Sequence, residues 1–430
     1  MRDLIIFVAI FGSIPFIFKR PAVGVIVFTW ISLMNPHRLT YGSAYAFPFA
    51  ALIAAVTLLS VVFSRQPKQF PLTPVTTILL IFIGWMNFTS LFALEPNLVW
   101  VEWERVMKTL FMILIAIAVF HSEKDIKQFT WIVAMSLAFY GLKGGIFTVL
   151  SGGSYRVLGP DGSYIAENNS LALALVTILP LVWYLRLQAA NKWMKRALTA
   201  IVVFTAISAM GSYSRGALLG GAGMMAFLWM KSHKKAQTLI VLVLAVLLIC
   251  IIMPDQWFAR MQSIDDYQKD GSALGRINAW HFAINIATER LVGGGFNVFT
   301  PNMFMQYAPD PRDFHVAHSI FFQVLGDHGA IGLVLFVLLM IFSWRTGTRV
   351  IRATRDQEEL KWANDLAKMC QVSIVGYAIS GAFLSLAYYD LYYNIIVILI
   401  VLEKAYASKP NRIASQLHPT EYARIVTSVR

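Results

Sequence analysis

Apolar runs of bilayer-spanning length recur from Leu4 to Leu402, and no other feature limits the possible folds as tightly. A lipid-spanning helix needs roughly 20 apolar residues at about 1.5 Å of rise each. Thirteen apolar segments alternate with short polar stretches, several of them shorter than that length. They are rich in Leu, Ile, Val, Phe and Ala and lack strict period-two alternation, which indicates helices rather than an outer-membrane barrel. With 57% hydrophobic and 14% charged residues, a 430-residue chain has too little polar surface for a water-soluble domain. The expected fold class is therefore all-α: a polytopic transmembrane helical bundle of about 12–13 spans. The first two segments could form an incomplete hairpin, and the last two one long or broken helix.

Charge orients this bundle. The 36 basic and 23 acidic residues give a net charge of +13. The basic residues mostly punctuate apolar runs, so they read as topology signals and not as a nucleic-acid surface. Arg65 with Lys68, Lys124 with Lys127, Arg186 to Arg196, Lys231 with Lys234 and Lys235, Arg345 to Lys361, and the basic tail all fall on one side when the spans alternate. The positive-inside rule assigns that side to the cytoplasm. The first run ends at Lys19-Arg20 without a small-residue cleavage site before it, so no cleaved signal is expected. Cys250 and Cys370 lie inside apolar runs and read as inert thiols.

The opposite side receives the loops at 35–43, 95–104, 151–169 and 211–215, and one long loop at 254–317. The expected organisation is ten transmembrane helices in 1–253, a loop with short helices at 254–317, C-terminal transmembrane helices in 318–403 and a cytoplasmic basic tail at 404–430. Long ordered loops are usually functional. This one carries Trp257, Phe258, Trp280, Phe282, Phe296, Phe299 and Phe304, and 272–288 reads as a helix stopped by Gly293-Gly294-Gly295.

Four basic residues stand out on this non-cytoplasmic face, where arginine is depleted: Arg156, Arg215, Arg276 and His318. An arginine here either pairs with lipid headgroups or, converging with others, grips a phosphate or diphosphate through bidentate charged hydrogen bonds. Arg260 and Arg290 fit the first role better. Arg215 sits in a turn so tight that its side chain is held in the bundle. His318 either caps a helix or, kept neutral by the helix dipole, accepts a proton from a hydroxyl. His315 is either a supporting partner of His318 or a surface residue. Asn168 and Asn169 precede a span and read as helix caps or supporting groups. Asp390 either orients a base or arginine, or is a satisfied structural carboxylate. His37 and Arg38 either line a cavity or meet headgroups. The sequence has no phosphate-cradling loop, dinucleotide fingerprint, zinc-spaced Cys/His cluster or HExxH. Without ATP on that face, a reaction there needs a pre-activated substrate such as a lipid-linked diphosphate.

Four stretches together resemble the O-antigen ligase and polymerase superfamily of bacterial inner-membrane proteins. They are Arg156 with Glu167-Asn168-Asn169; Ser214-Arg215-Gly216-Ala217; Gly275-Arg276 with Trp280 and Gly293-Gly294-Gly295-Phe296; and His318 to Gly332, ending in Gly329-Ala330-Ile331-Gly332. Ser319 stands where that family often has Asn. The likeness is best over residues 150–345.

The resemblance implies a multi-span glycosyltransferase of the GT-C-like kind, metal-independent and without a cofactor, with a periplasmic cavity and periplasmic loop in the inner membrane. The donor would be a polysaccharide on undecaprenyl diphosphate. In a ligase, the acceptor would be a sugar hydroxyl of lipid A-core. His318 would be the catalytic base, with Arg215 and Arg276, joined by Arg156, on the diphosphate; Asn169, Asp390 and His315 would support them. Polymerisation of the glycan or transfer to protein hydroxyls are the neighbouring activities. A lipid-linked oligosaccharide transporter is the reading from another class, and it should show charges through the bundle and paired broken helices.

Overall fold

The computed structural model describes residues 1–231, 235–236, 239–240, 243–244, 247, 251, 253–262 and 271–407. Among these residues the chain is helical and contains no strand. It runs through α1 (Arg2–Lys19), α2 (Pro21–Met34), α3 (Phe49–Phe63), α4 (Pro74–Ser90), α5 (Pro96–Val119), α6 (Glu123–Leu150), α7 (Asn168–Gln188), α8 (Lys192–Gly211) and α9 (Arg215–Lys231). The long loop carries α10 (Asp255–Gln262), α11 (Gly271–Glu289) and α12 (Pro301–Tyr307). Helices α13 (Ile320–Ala353), α14 (Lys361–Gly381) and α15 (Asp390–Leu402) follow. Twelve of the thirteen apolar segments coincide with these helices; the remaining one, 239–253, lies mostly outside the described residues. Cys250, Lys234, Asp265-Asp266 and the tail from 408 lie outside them as well.

The chain is a multi-pass helical membrane protein. Among the described residues, α6, α7, α8 and α13 are long and apolar enough to cross a bilayer, and α2, α3 and α4 are shorter apolar helices. Their starts follow from sequence. Thr73 and Ser122 close capping boxes on α4 and α6, and Pro74 sits at the first position of α4, where its missing N–H costs nothing. The last two apolar segments form a broken pair, because α14 ends at Gly381 and the chain is non-helical from 382 to 389.

Polar contacts separate two ends of the bundle. At the basic end Arg20 pairs with Asp125, Arg349 pairs with Glu403, and the Lys404 ammonium reaches the Gln69 carbonyl at 2.7 Å. At the opposite end, here the loop end, Arg2 reaches the Leu39 carbonyl and the Tyr140 hydroxyl donates to the Met34 carbonyl at 2.5 Å. The core centres on α15, every residue of which is buried, against α5, α6, α13 and α14. A helix apolar on all sides belongs inside. Helices α6 and α8 pack closely, because Gly145 leaves room for the Phe204 carbonyl where a Cβ would stand.

Candidate active site

Two interruptions of regular helix at the loop end carry the residues singled out from the sequence. The first is the turn between α8 and α9. Helix ends leave carbonyls without partners, and buried ones must find donors. Here four consecutive carbonyls find them on three segments: α10, which supplies two donors, the loop before α7, and the start of α7. Met210 accepts from the Trp257 indole at 3.0 Å, Gly211 from the Val157 amide at 3.0 Å, Ser212 from the Asn168 amide side chain at 2.7 Å, and Tyr213 from Arg260 at 3.2 Å. The Tyr213 backbone is left-handed, with φ +60°, and its hydroxyl donates to Gly153 at 2.6 Å. The Ser214 hydroxyl accepts from the Ala217 amide at 3.3 Å, as a helix N-cap does, so Arg215 begins α9 on a fixed backbone.

This turn gives Asn168 and Arg260 roles that the sequence did not disclose. Asn168 opens α7, makes no capping bond to it and instead ties α7 to the α8–α9 turn. Asn169 is half-buried beside it in the first turn of α7. Arg260 holds protein backbone, where headgroup pairing was the expectation.

The second interruption lies at the start of α13. Helix α11 supplies one face to it. The His315 ring packs where a Cβ on Gly275 would stand; Asn278 donates to the carbonyls of Asp310 and Asp313 at 2.8 and 2.9 Å; the Trp280 indole donates to Ala317 at 2.8 Å. Trp280 also stacks on Phe322, with centroids 4.9 Å apart and planes 9° from parallel. The segment just before His318 is thereby pinned to α11. His318 itself is left-handed, with φ +44°. Such backbone costs a bulky residue about 1–3 kcal/mol and persists only where its surroundings impose it. Burial, the Arg276 guanidinium and His315 together hold the His318 imidazole down to about 4, so it is neutral at physiological pH. The His315 Nε2–H donates to the Asp313 carboxylate at 2.9 Å.

Helix α13 has 34 residues, about 51 Å, too long for one straight crossing. It kinks at Gly329, with φ +67° and ψ −172°. The kink frees carbonyls, and the loop glycines take them: the Gly294 and Gly295 amides donate to Gly326 and Asp327 at 2.8 and 2.7 Å. The Trp85 indole donates to the His328 carbonyl at 2.9 Å. The two glycine motifs are therefore halves of one joint. Beneath it the Tyr388 hydroxyl donates to buried Asp327 at 2.8 Å, and His328 Nδ1 shares a 2.7 Å hydrogen bond with Thr89.

The two interruptions meet across the end of α14. Gly216, beside Arg215, faces Ser380 and Phe383, while Gly381 faces Ile320, two residues after His318. Arg215, Arg276, His315 and His318 thus occupy adjoining elements. Arg156 and Asp390 sit elsewhere. Arg156 lines a cavity of about 1300 Å³ with Arg2, Arg38 and Lys143. Asp390 starts α15, accepts from the Ser32 hydroxyl and lies in the field of Arg105. Among the described residues no group of three or more His, Cys, Asp or Glu is placed to hold a metal ion.

Sequence reasoning missed Trp85, Tyr388 and Lys143. Trp85 and Tyr388 are unremarkable aromatics within apolar runs. Lys143 did carry a signal, as a single charge inside the apolar stretch 129–150.

Residues 200–337 match a family model described as O-antigen ligase, which covers Arg215, Arg276, His318 and the Gly329 kink. Residues 1–190 match a family of unknown function (DUF5935). No curated protein matches the chain.

Proposed function

Because the chain belongs to the O-antigen ligase and polymerase superfamily, whose members are glycosyltransferase-like enzymes acting on lipid-linked glycans, we propose that it is an O-antigen ligase of the bacterial inner membrane. The donor is a polysaccharide on undecaprenyl diphosphate. The acceptor is a sugar hydroxyl of lipid A-core. The basic end lies in the cytoplasm by the positive-inside rule, and the loop end with His318 faces the periplasm.

The observation that carries this reading is the placement of His318, held in a left-handed backbone beside Arg276 on a segment pinned by Trp280. The His318 imidazole takes the proton of the acceptor hydroxyl as its oxygen attacks the anomeric carbon of the donor. The bond from that carbon to the diphosphate oxygen breaks, and undecaprenyl diphosphate leaves with the electron pair. A single displacement inverts the anomeric centre. Arg215 and Arg276 offset the charge that develops on the leaving group. A positioned base contributes roughly 10²–10⁴-fold, and fixed charges in a site shielded from water contribute a comparable factor. His315 and Asn169 act in support from the elements that bear or brace the site, and Asp390 acts at a distance, from the start of α15, which packs against α13 and α14.

Purified protein, a lipid-linked glycan and lipid A-core test the proposal by product mass. The expected product is lipid A-core enlarged by the whole glycan. Transfer only to a second lipid-linked glycan, or to protein hydroxyls, would remove the ligase assignment; no transfer to any acceptor would remove the transferase reading.

A further inference from the structure

The geometry points to a second binding site in the N-terminal part of the chain, for the phosphate-bearing headgroup of a glycolipid. It is formed by the cavity of about 1300 Å³ that Arg156 shares with Arg2, Arg38 and Lys143. The four cations come from four segments: the start of α1, the short helical turn Pro36–Leu39, the interior of α6 and the loop before α7. One carboxylate, Asp161, shares the lining. None of the four cations forms an ion pair with a carboxylate among the described residues.

Four cations against one carboxylate around one space at the edge of a bilayer are unfavourable, and an arriving anion relieves them. Lys143 makes the point most sharply. It lies seven residues before the end of α6, about 10 Å below the loop end, where an apolar residue would cost nothing. Arg38 is already shaped for a ligand. Its guanidinium lies over the Tyr45 ring at 4.7 Å and against Gly162, where an added Cβ would stand 3.3 Å away. Its Nε is buried without a hydrogen-bond partner.

Tyr41, 91% exposed, and Tyr45 add ring faces of the kind that stack on sugars. The volume exceeds the roughly 300–1,000 Å³ of a small-molecule pocket, so it suits a phosphorylated disaccharide better than a lone phosphate. Ile5 and Phe147, both exposed on α1 and α6, give the cavity an apolar flank. The wall bearing Arg156 is the same segment whose Gly153 and Val157 brace the α8–α9 turn, so the cavity adjoins the turn that bears Arg215. This inference rests on the reading of the chain as a transferase between two lipids, for which it supplies the seat of the acceptor.

Binding tests it apart from turnover. The full-length protein, in phosphatidylcholine nanodiscs, is titrated with bisphosphorylated lipid A, its dephosphorylated form, phosphatidylglycerol and inorganic pyrophosphate. Lipid A should bind at least tenfold more tightly than the other three. The double variant Arg38→Gln, Lys143→Gln should lose that tenfold or more, while still binding a lipid-linked diphosphate glycan as the unaltered protein does. Arg38→Lys, Lys143→Arg should keep most of the affinity, which separates lost charge from lost fold. Equal binding of the dephosphorylated lipid, equal binding of phosphatidylglycerol, full competition by pyrophosphate, or an unaffected double variant would each overturn the site. Selective lipid A binding in a protein that transfers no glycan would leave this site standing and overturn the transferase reading instead.

Discussion

The Trp280 indole N–H donates to the carbonyl of Ala317 at 2.8 Å, one residue ahead of His318. It anchors the backbone that presents the proposed base, while the ring stays stacked on Phe322. Trp280→Phe keeps an aromatic ring there and removes the donor. A carbonyl left without its partner costs about 1–3 kcal/mol. The expected result is turnover reduced roughly tenfold with donor KM nearly unchanged, measured by steady-state transfer assays. A raised donor KM at unchanged turnover would contradict a positioning role.

Gly293 has φ +67°, and an added Cβ would stand 2.5 Å from the Gly329 amide nitrogen and 2.8 Å from two carbonyls. Nothing flexible lies there to give way. Gly293→Ala should cost about 2 kcal/mol or more through strain and overpacking. Thermal unfolding of the purified protein should show a clear drop in Tm. Gly12→Ala, in open space on α1, should not lower it.

Much of this architecture was legible in the sequence, and the limits have a physical pattern. Hydropathy is local, so Leu4 to Leu402 could be parsed into helices without knowing their neighbours. The glycines at 293–295 and at 329 were visible as motifs, but their union was not. Pairing Gly294 with Gly326, or Trp85 with His328, depends on chain segments brought together from a distance. Asn168 shows the same limit: its position suggested a cap, yet its amide reaches across to Ser212. Helix α5 begins at Pro96, ten residues before the apolar run at 106, because its first turns rise past the apolar zone and carry Glu102 and Arg105 to meet Tyr164. Polar helix of that kind leaves no apolar signal.

The pH dependence of donor use should follow the environment of His318. Burial first, then Arg276 and His315, lower its pKa from 6.5 to about 4. The base is therefore active above about 4 in the free enzyme, and the acid limb of kcat/KM should fall well below the ordinary imidazole value. Removing the Arg276 charge favours the imidazolium, so Arg276→Gln should move that limb upward, part of the way to 6.5 because burial remains. Stability carries the same sign. Between about 4 and 6.5 the unfolded chain holds more proton at this site, so its contribution to folding stability falls as pH drops through that window. An acid limb unmoved by Arg276→Gln would break the link between the two residues.

Arg215 begins α9 on a turn whose four carbonyls are all bonded, so its replacement should leave the fold in place. Arg215→Ala should weaken donor use by about tenfold or more, as the loss of a charged bidentate contact does, with a smaller effect on acceptor KM. Arg215→Lys keeps charge without the planar fork and should fall between the two. Unchanged donor KM and turnover in Arg215→Ala would remove the residue from the diphosphate site.

The most direct test is single-turnover transfer by purified His318→Ala, with donor binding measured in the same preparation. The account expects the variant to bind the lipid-linked glycan as the unaltered protein does and to release undecaprenyl diphosphate at least about 10²-fold more slowly. Release and transfer near the unaltered rate would contradict it.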